Sequence, residues 1–218
     1  MTNVILRAIC LSLYALVAAS NPSLAREAIV DEDHPDQKLS KQEHSQLHIN
    51  RGIRFYEQRN YSAAAKEYTL AIRLTPNVAI LYYNRGNAYF RLRSFENALK
   101  DYTVAERLNP YFVMAMANRG NALSALRKLD DALVAFNAAA ELEPNNPYVL
   151  FNRGFVYGKR QEYHSAIRDF TKLLELKPND VEAIALRASA YRAVGEFKKA
   201  LEDVEKARAL APNDLRFR

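Results

Sequence analysis

Apolar and polar positions recur along most of this chain at the spacing of amphipathic helices, and they do so in pairs. In the run NRGNAYFRLRSFENALKDYTVAERLNP, from Asn84 to Pro110, the apolar stripe breaks near Arg93-Ser94 and then resumes. That pattern predicts two helices joined by a short turn. The run returns, with variations, along almost all of the chain beyond residue 44. Prolines at 76, 110, 144, 178 and 212 close successive copies, each 34 residues after the last. A fixed period of this size predicts a stacked array, in which each copy buries its apolar faces against its neighbours. Proline ends each copy because it cannot continue a helix and disfavours helical angles in the residue before it.

Other columns keep the same register. Gly52, Gly86, Gly120 and Gly154 recur, with Ala188 in the fifth copy. Twelve residues on come Ala64, Ala98, Ala132, Ala166 and Ala200. Tyr68, Tyr102, Phe136, Phe170 and Val204 form a large apolar column, and Tyr61, Phe95, Leu129, Tyr163 and Phe197 another. A mid-helix glycine costs about 1 kcal/mol against alanine. Its recurrence therefore predicts a crossing where no side chain fits. The alanine column is expected to admit the second backbone, with Tyr89 and Tyr157 filling the space beside it.

These columns resemble the motif of the tetratricopeptide repeat family in type and spacing, over residues 45–214. The units are 45–78, 79–112, 113–146, 147–180 and 181–214, followed by a short tail at 215–218. The resemblance implies an all-α fold, a right-handed α-solenoid of stacked antiparallel helix pairs. Ala188 for Gly, Leu123 for Tyr, Leu173 for Ala and Val204 for an aromatic depart from the motif, and all are compatible in size.

The first 25 residues do not share the period. Arg7 precedes an apolar run from Ala8 to Ala19, Asn21-Pro22 breaks it, and Ser23-Leu24-Ala25 offers small residues for cleavage after Ala25. This is the layout of a secretory signal peptide. The run is shorter than the roughly 20 apolar residues a membrane span needs. The expectation is an exported chain, periplasmic in a bacterium or secreted, with no transmembrane span once mature. Cys10 is the only cysteine, so the mature chain would carry no disulfide. Residues 26–44 are polar, of mixed charge and interrupted by Pro35. They read as a flexible leader that enters the first helix near His44 or Ser45.

Candidate chemistry adds little that is catalytic. His34, His44, His48 and His164 have no second ligand at helical spacing, so no metal is implied. The glycines are spread one per unit rather than clustered around a phosphate. No cofactor and no enzyme activity is expected. The net charge of +6 is dispersed among acids, which argues against nucleic acid and leaves weak attraction to anionic polymers as an alternative.

Two polar columns remain. Arg51, Arg85, Arg119, Arg153 and Arg187 are followed sixteen residues later by Glu67, Asp101, Ala135, Asp169 and Asp203. They predict a ladder of ion pairs within each unit, with Arg119 left to another partner. The second column is amide: Asn50, Asn84, Asn118 and Asn152, with Asn87 and Asn121 one helical turn on. In tetratricopeptide arrays the first helices line the concave groove. The resemblance therefore places Asn84, Asn87, Asn118, Asn121 and Asn152 there, beside Tyr83 and Phe151, with Arg91 and Lys159 at a rim. An amide both donates and accepts, so such a row can grip the backbone of an extended peptide. Equally, the amides can bond to neighbouring helices and shape the stack.

The family's carboxylate-clamp form needs Lys one residue before the groove Asn. Ile49, Tyr83, Ala117 and Phe151 stand there instead. The expected role is an exported protein-interaction module that holds a peptide or partner protein in its groove. The alternative is a scaffold that self-associates, as a homodimer, through a C-terminal helix expected to be bare around Ala200, Val204 and Ala207.

Overall fold

The computed structural model describes residues 39–214, which form ten helices and, among the described residues, no strand. The helices are α1 (Lys41–Glu57), α2 (Tyr61–Leu74), α3 (Ala79–Arg91), α4 (Phe95–Leu108), α5 (Val113–Ala125), α6 (Leu129–Leu142), α7 (Pro147–Lys159), α8 (Tyr163–Leu176), α9 (Val181–Ala193) and α10 (Phe197–Leu210). Consecutive helices pair as antiparallel hairpins, and each second helix packs against the first helix of the next pair. The first helices α3, α5, α7 and α9 also touch one another in sequence. The proposed signal segment, most of the leader and the tail lie outside the described residues.

The first helix starts at Lys41, earlier than the apolar pattern suggests. Ser40 Oγ accepts from the Glu43 N–H at 3.2 Å, and the Glu43 carboxylate accepts from the Ser40 N–H at 2.5 Å. This capping box satisfies two end donors reciprocally, so the last polar leader residues become helix. Asn60, Asn146 and Asp180 cap α2, α7 and α9 from one side only, each side chain accepting from first-turn N–H groups.

Inside each hairpin Asn60, Ser94, Lys128, Glu162 and Glu196 precede the second helices as their N-caps. The left-handed position falls one residue earlier, at Arg59 (φ 61°), Arg93 (60°), Arg127 (64°), Gln161 (64°) and Gly195 (82°). Only the last is free of the penalty a Cβ brings there, which is roughly 1–2 kcal/mol.

The glycine column meets an aromatic ring rather than the alanine column. A Cβ on Gly52 would lie 2.6 Å from the Tyr68 ring, on Gly86 2.8 Å from Tyr102, on Gly120 2.8 Å from Phe136, and on Gly154 3.0 Å from Phe170. The alanines are still needed: Ala64, Ala98, Ala132 and Ala166 are fully buried. The fifth pair now makes sense. Its two departures, Ala188 and Val204, fall on the same pair of facing positions, so the larger residue on one helix is matched by a smaller one on the other. The core is a series of clusters strung along the seams between hairpins, as a solenoid requires.

Candidate functional site

Three arginines of the first helices are locked in place by paired acids. Arg85 donates from Nε and Nη2 to both Asp101 oxygens at 2.8 and 2.7 Å, and Arg153 with Asp169 and Arg187 with Asp203 repeat that geometry. Each also donates from Nη1, at 3.1 Å, to the second helix of the preceding hairpin: to Thr69, Asn137 and Thr171 respectively. The ladder thus ties hairpins together as well as closing each one. Sequence reasoning missed those acceptors, although Thr69, Thr103, Asn137 and Thr171 recur at the repeat spacing. The Asp101 carboxylate holds the Arg85 guanidinium above its ordinary value. Asp101 itself is pushed up, because burial outweighs the pull of Arg85. Forked pairing of this kind fixes geometry more surely than it adds stability.

The two remaining rungs differ. Glu67 Oε2 accepts from His48 Nδ1, 2.8 Å away, instead of pairing with Arg51. Arg51 is exposed and makes no ion pair among the described residues. Arg119, with Ala135 opposite, turns to Glu106 of the preceding hairpin at 2.6 Å. That is the other intramolecular partner expected of it.

The amides are organised into one chain of hydrogen bonds across three hairpins. The Tyr102 hydroxyl and Asn118 Nδ2 both donate to Asn87 Oδ1, each at 2.8 Å. Tyr148 donates its hydroxyl proton to Asn118 Oδ1 at 2.7 Å and accepts from Asn121 Nδ2 at 2.7 Å. Asn118 Nδ2 also lies 3.4 Å from the Tyr83 hydroxyl. Asn152 turns back on its own helix, donating to the Tyr148 carbonyl at 2.7 Å. The two phenols are therefore part of the site, Tyr102 from within an apolar column of the second helices. Burial of the hydroxyl, which in Tyr148 goes with a partly open ring, pushes both above the ordinary tyrosine range, so they stay protonated as donors.

Polar capacity is left over on this face. An amide offers two donors and an acceptor oxygen with two lone pairs. Asn87 keeps its whole NH2 group, Asn121 and Asn152 keep their oxygens, and Asn84 has no side-chain hydrogen bond among the described residues. All five amides are partly exposed. The flanking residues divide. Tyr83 is only 7% exposed, with its ring 4.8 Å from Phe112, so it belongs to the seam and not to an open surface. Phe151 packs edge-on against Phe170 at 6.2 Å. Tyr148 and Phe155 are the exposed aromatics of α7. Lys159 sits 4.5 Å over the Phe155 ring and Arg91 4.9 Å over Tyr61, both exposed.

At the last helix the expected bare patch is shifted. Ala200 and Ala207 are buried, whereas Phe197 and Leu201 are 69% and 58% exposed. The alanines are covered, and the large apolar residues near the start of the helix are open. Among the described residues no cluster of His, Cys, Asp or Glu is placed to hold a metal, and no helix is long and apolar enough to cross a membrane.

Hairpins of this length, with glycine against aromatic and a proline at each exit, define a helical-repeat scaffold of the kind that presents surfaces to other proteins. Profiles described as tetratricopeptide repeat match residues 49–111 and 147–180, and one described as TPR repeat matches 120–161. Together they span more than half of the chain, which belongs to the tetratricopeptide repeat family.

Solved structures agree. MamA from Desulfovibrio magneticus RS-1 superposes with a TM-score of 0.74 at 18% identity, covering 81% of this chain and 99% of that one. YrrB, a TPR protein with an unusual peptide-binding site, gives 0.67 at 23% identity, covering 78% and 88%. The first TPR of Spaghetti (RPAP3), bound to the HSP90 peptide SRMEEVD, gives 0.53 at 30% identity, covering 54% and 94%. MamA and YrrB, at these identities, speak to the fold alone. No curated protein matches the chain.

Proposed function

We propose that the protein is an exported interaction module that holds an extended segment of a partner protein along the amide row of its first helices, without catalysis. The observation that carries this reading is the set of unspent polar atoms on Asn84, Asn87, Asn121 and Asn152. They stand on adjoining helices, and cross-hairpin hydrogen bonds fix the orientation of Asn87 and Asn121. A preformed row loses little entropy on binding, and each net bond contributes about 0.5–1.5 kcal/mol. A short peptide held this way binds near micromolar, roughly −8 kcal/mol. The peptide-binding site of YrrB and the HSP90 peptide on the first TPR of Spaghetti support peptide binding as a use of this fold. The absence of Lys at Ile49, Tyr83, Ala117 and Phe151 sets this row apart from the carboxylate-clamp form. Export rests on the layout of residues 1–25 alone.

Asn84 gives the clean test, because among the described residues it has no side-chain hydrogen bond to disturb. Asn84→Ala is expected to weaken capture of the natural partner about threefold to tenfold while helicity and melting stay unchanged. Undiminished capture would remove the amide row from the account. A second reading is self-association through α10, favoured by the exposure of Phe197 and Leu201. A mass that rises with concentration and reverts on Leu201→Glu would establish it.

A further inference from the structure

The seam between the first two hairpins is built differently from the others. Where a second helix meets the next first helix, one position carries Leu99, Leu133 or Ile167 in the second, third and fourth hairpins. Those side chains pack into the seam clusters. The first hairpin has Ala65 at that position, 5% exposed and with far less bulk. A depression of about 450 Å³ opens there. Ala65 sits among its lining residues with Thr69 and Leu70 of α2 and with Tyr89 and Leu92 at the end of α3. Its charged lining residues are Lys66 and Arg73, both of α2 and both exposed. They stand two helical turns apart on one face, about 10 Å along the axis. Neither makes an ion pair among the described residues, and no acid lines the depression.

We propose that this depression is a second binding site, separate from the amide row, that takes a leucine-sized or aromatic side chain from an acidic segment of a partner protein. The other seams show what the space accepts, since an aliphatic side chain fills the matching position there. Here the chain withholds it, and the partner supplies it. Tyr89 and Leu92 give that side chain apolar walls, while Lys66 and Arg73 receive carboxylates on either side of it. The occupant is therefore a short acidic stretch with one central apolar anchor. The site involves a second helix, α2, and uses none of the amides of the row, so it does not rest on the function proposed above.

The test uses the full chain and a library of labelled 12-residue peptides with Leu, Phe or Tyr at the centre and Glu or Asp around it. Binding is read by fluorescence anisotropy. The expected result is selection of peptides whose binding weakens roughly tenfold or more when their central residue becomes Ala. Ala65→Leu, which installs the residue the next two hairpins carry, should fold at least as well as the native chain and abolish that sensitivity. Lys66→Gln with Arg73→Gln should weaken binding severalfold and flatten its dependence on salt. Equal binding to native chain and Ala65→Leu would overturn the proposal, as would failure of the library to yield acidic binders. Loss of the same peptides on Asn84→Ala, with no effect of Ala65→Leu, would place them in the amide row and also overturn it. If Ala65→Leu melts lower than the native chain, the peptide Leu→Ala comparison on the Lys66/Arg73 variant decides. The anchor should then still matter while the charges do not.

Discussion

Replacing Gly120 by alanine tests the packing rule that sets the repeat. The added Cβ would lie 2.8 Å from both Cε2 and Cζ of Phe136, a ring that is fully buried and has no room to retreat. Overpacking of this kind costs about 1–3 kcal/mol. Alanine in place of a helical glycine returns about 0.5–1 kcal/mol, so the expected net loss is about 1–2 kcal/mol. Phe136→Val alone removes buried ring surface and is expected to cost about 2–4 kcal/mol. In the double variant the clash has no ring to meet, and the two costs should fall short of their sum by about 1–3 kcal/mol. The fifth hairpin already carries this combination as Ala188 and Val204. Urea unfolding of the four proteins of the cycle, followed by helical circular dichroism, measures the coupling directly. Additivity within about 0.5 kcal/mol would refute the claim that glycine and aromatic are one packing unit.

Two further outcomes follow from the polar ladders. Asp169→Ala leaves the half-buried Arg153 guanidinium without its forked acceptor and should cost about 1.5–3 kcal/mol, readable as a lowered urea midpoint; Arg119, whose partner is Glu106, should be indifferent to Asp169. In alkali the buried phenols act against the fold. Tyr102 is raised above its unfolded value, first by burial and then by the Tyr83 hydroxyl. Its contribution is thus whole below pH about 10 and is lost as pH rises toward the folded value, by about 1.4 kcal/mol per pH unit. Urea midpoints measured from pH 9 to 11 should fall steeply, and Tyr102→Phe should flatten that fall. An unchanged slope would mean that Tyr102 ionises as readily in the folded chain.

Much of the fold could be read from the sequence because a repeat states its own rules five times. Glycine, alanine, aromatic and proline columns mark helix, crossing and exit without any knowledge of contacts. Spacing alone does not say which column faces which, so the glycines were matched with alanines and the aromatic ring went unassigned. The ion-pair ladder was legible for Asp101, Asp169 and Asp203, where the sixteen-residue offset carries the geometry. At the first rung His48 is the residue that reaches Glu67, one turn before Arg51 on the same helix, and a column rule is blind to such a competitor. The amide row was visible as a column, but its wiring was not. Tyr148 comes from the next hairpin and Tyr102 from the second helix, and spacing along the chain does not say which amide a phenol from another helix will reach. The Ala65 depression was hidden for the opposite reason: a missing side chain in one unit looks like ordinary variation until the neighbouring helix is in place.

The measurement that tests the proposed function most directly is site-specific photocrosslinking in intact cells, with a benzoyl-phenylalanine in place of Phe155. That exposed ring occupies in the fourth hairpin the position Asn121 holds in the third. The control carries the same probe at Val134, which is 64% exposed on a second helix. The account predicts a partner crosslinked at position 155 and not at 134, whose yield falls when Asn84→Ala is added. A partner caught equally at both positions, or one at 155 that ignores Asn84→Ala, would contradict it.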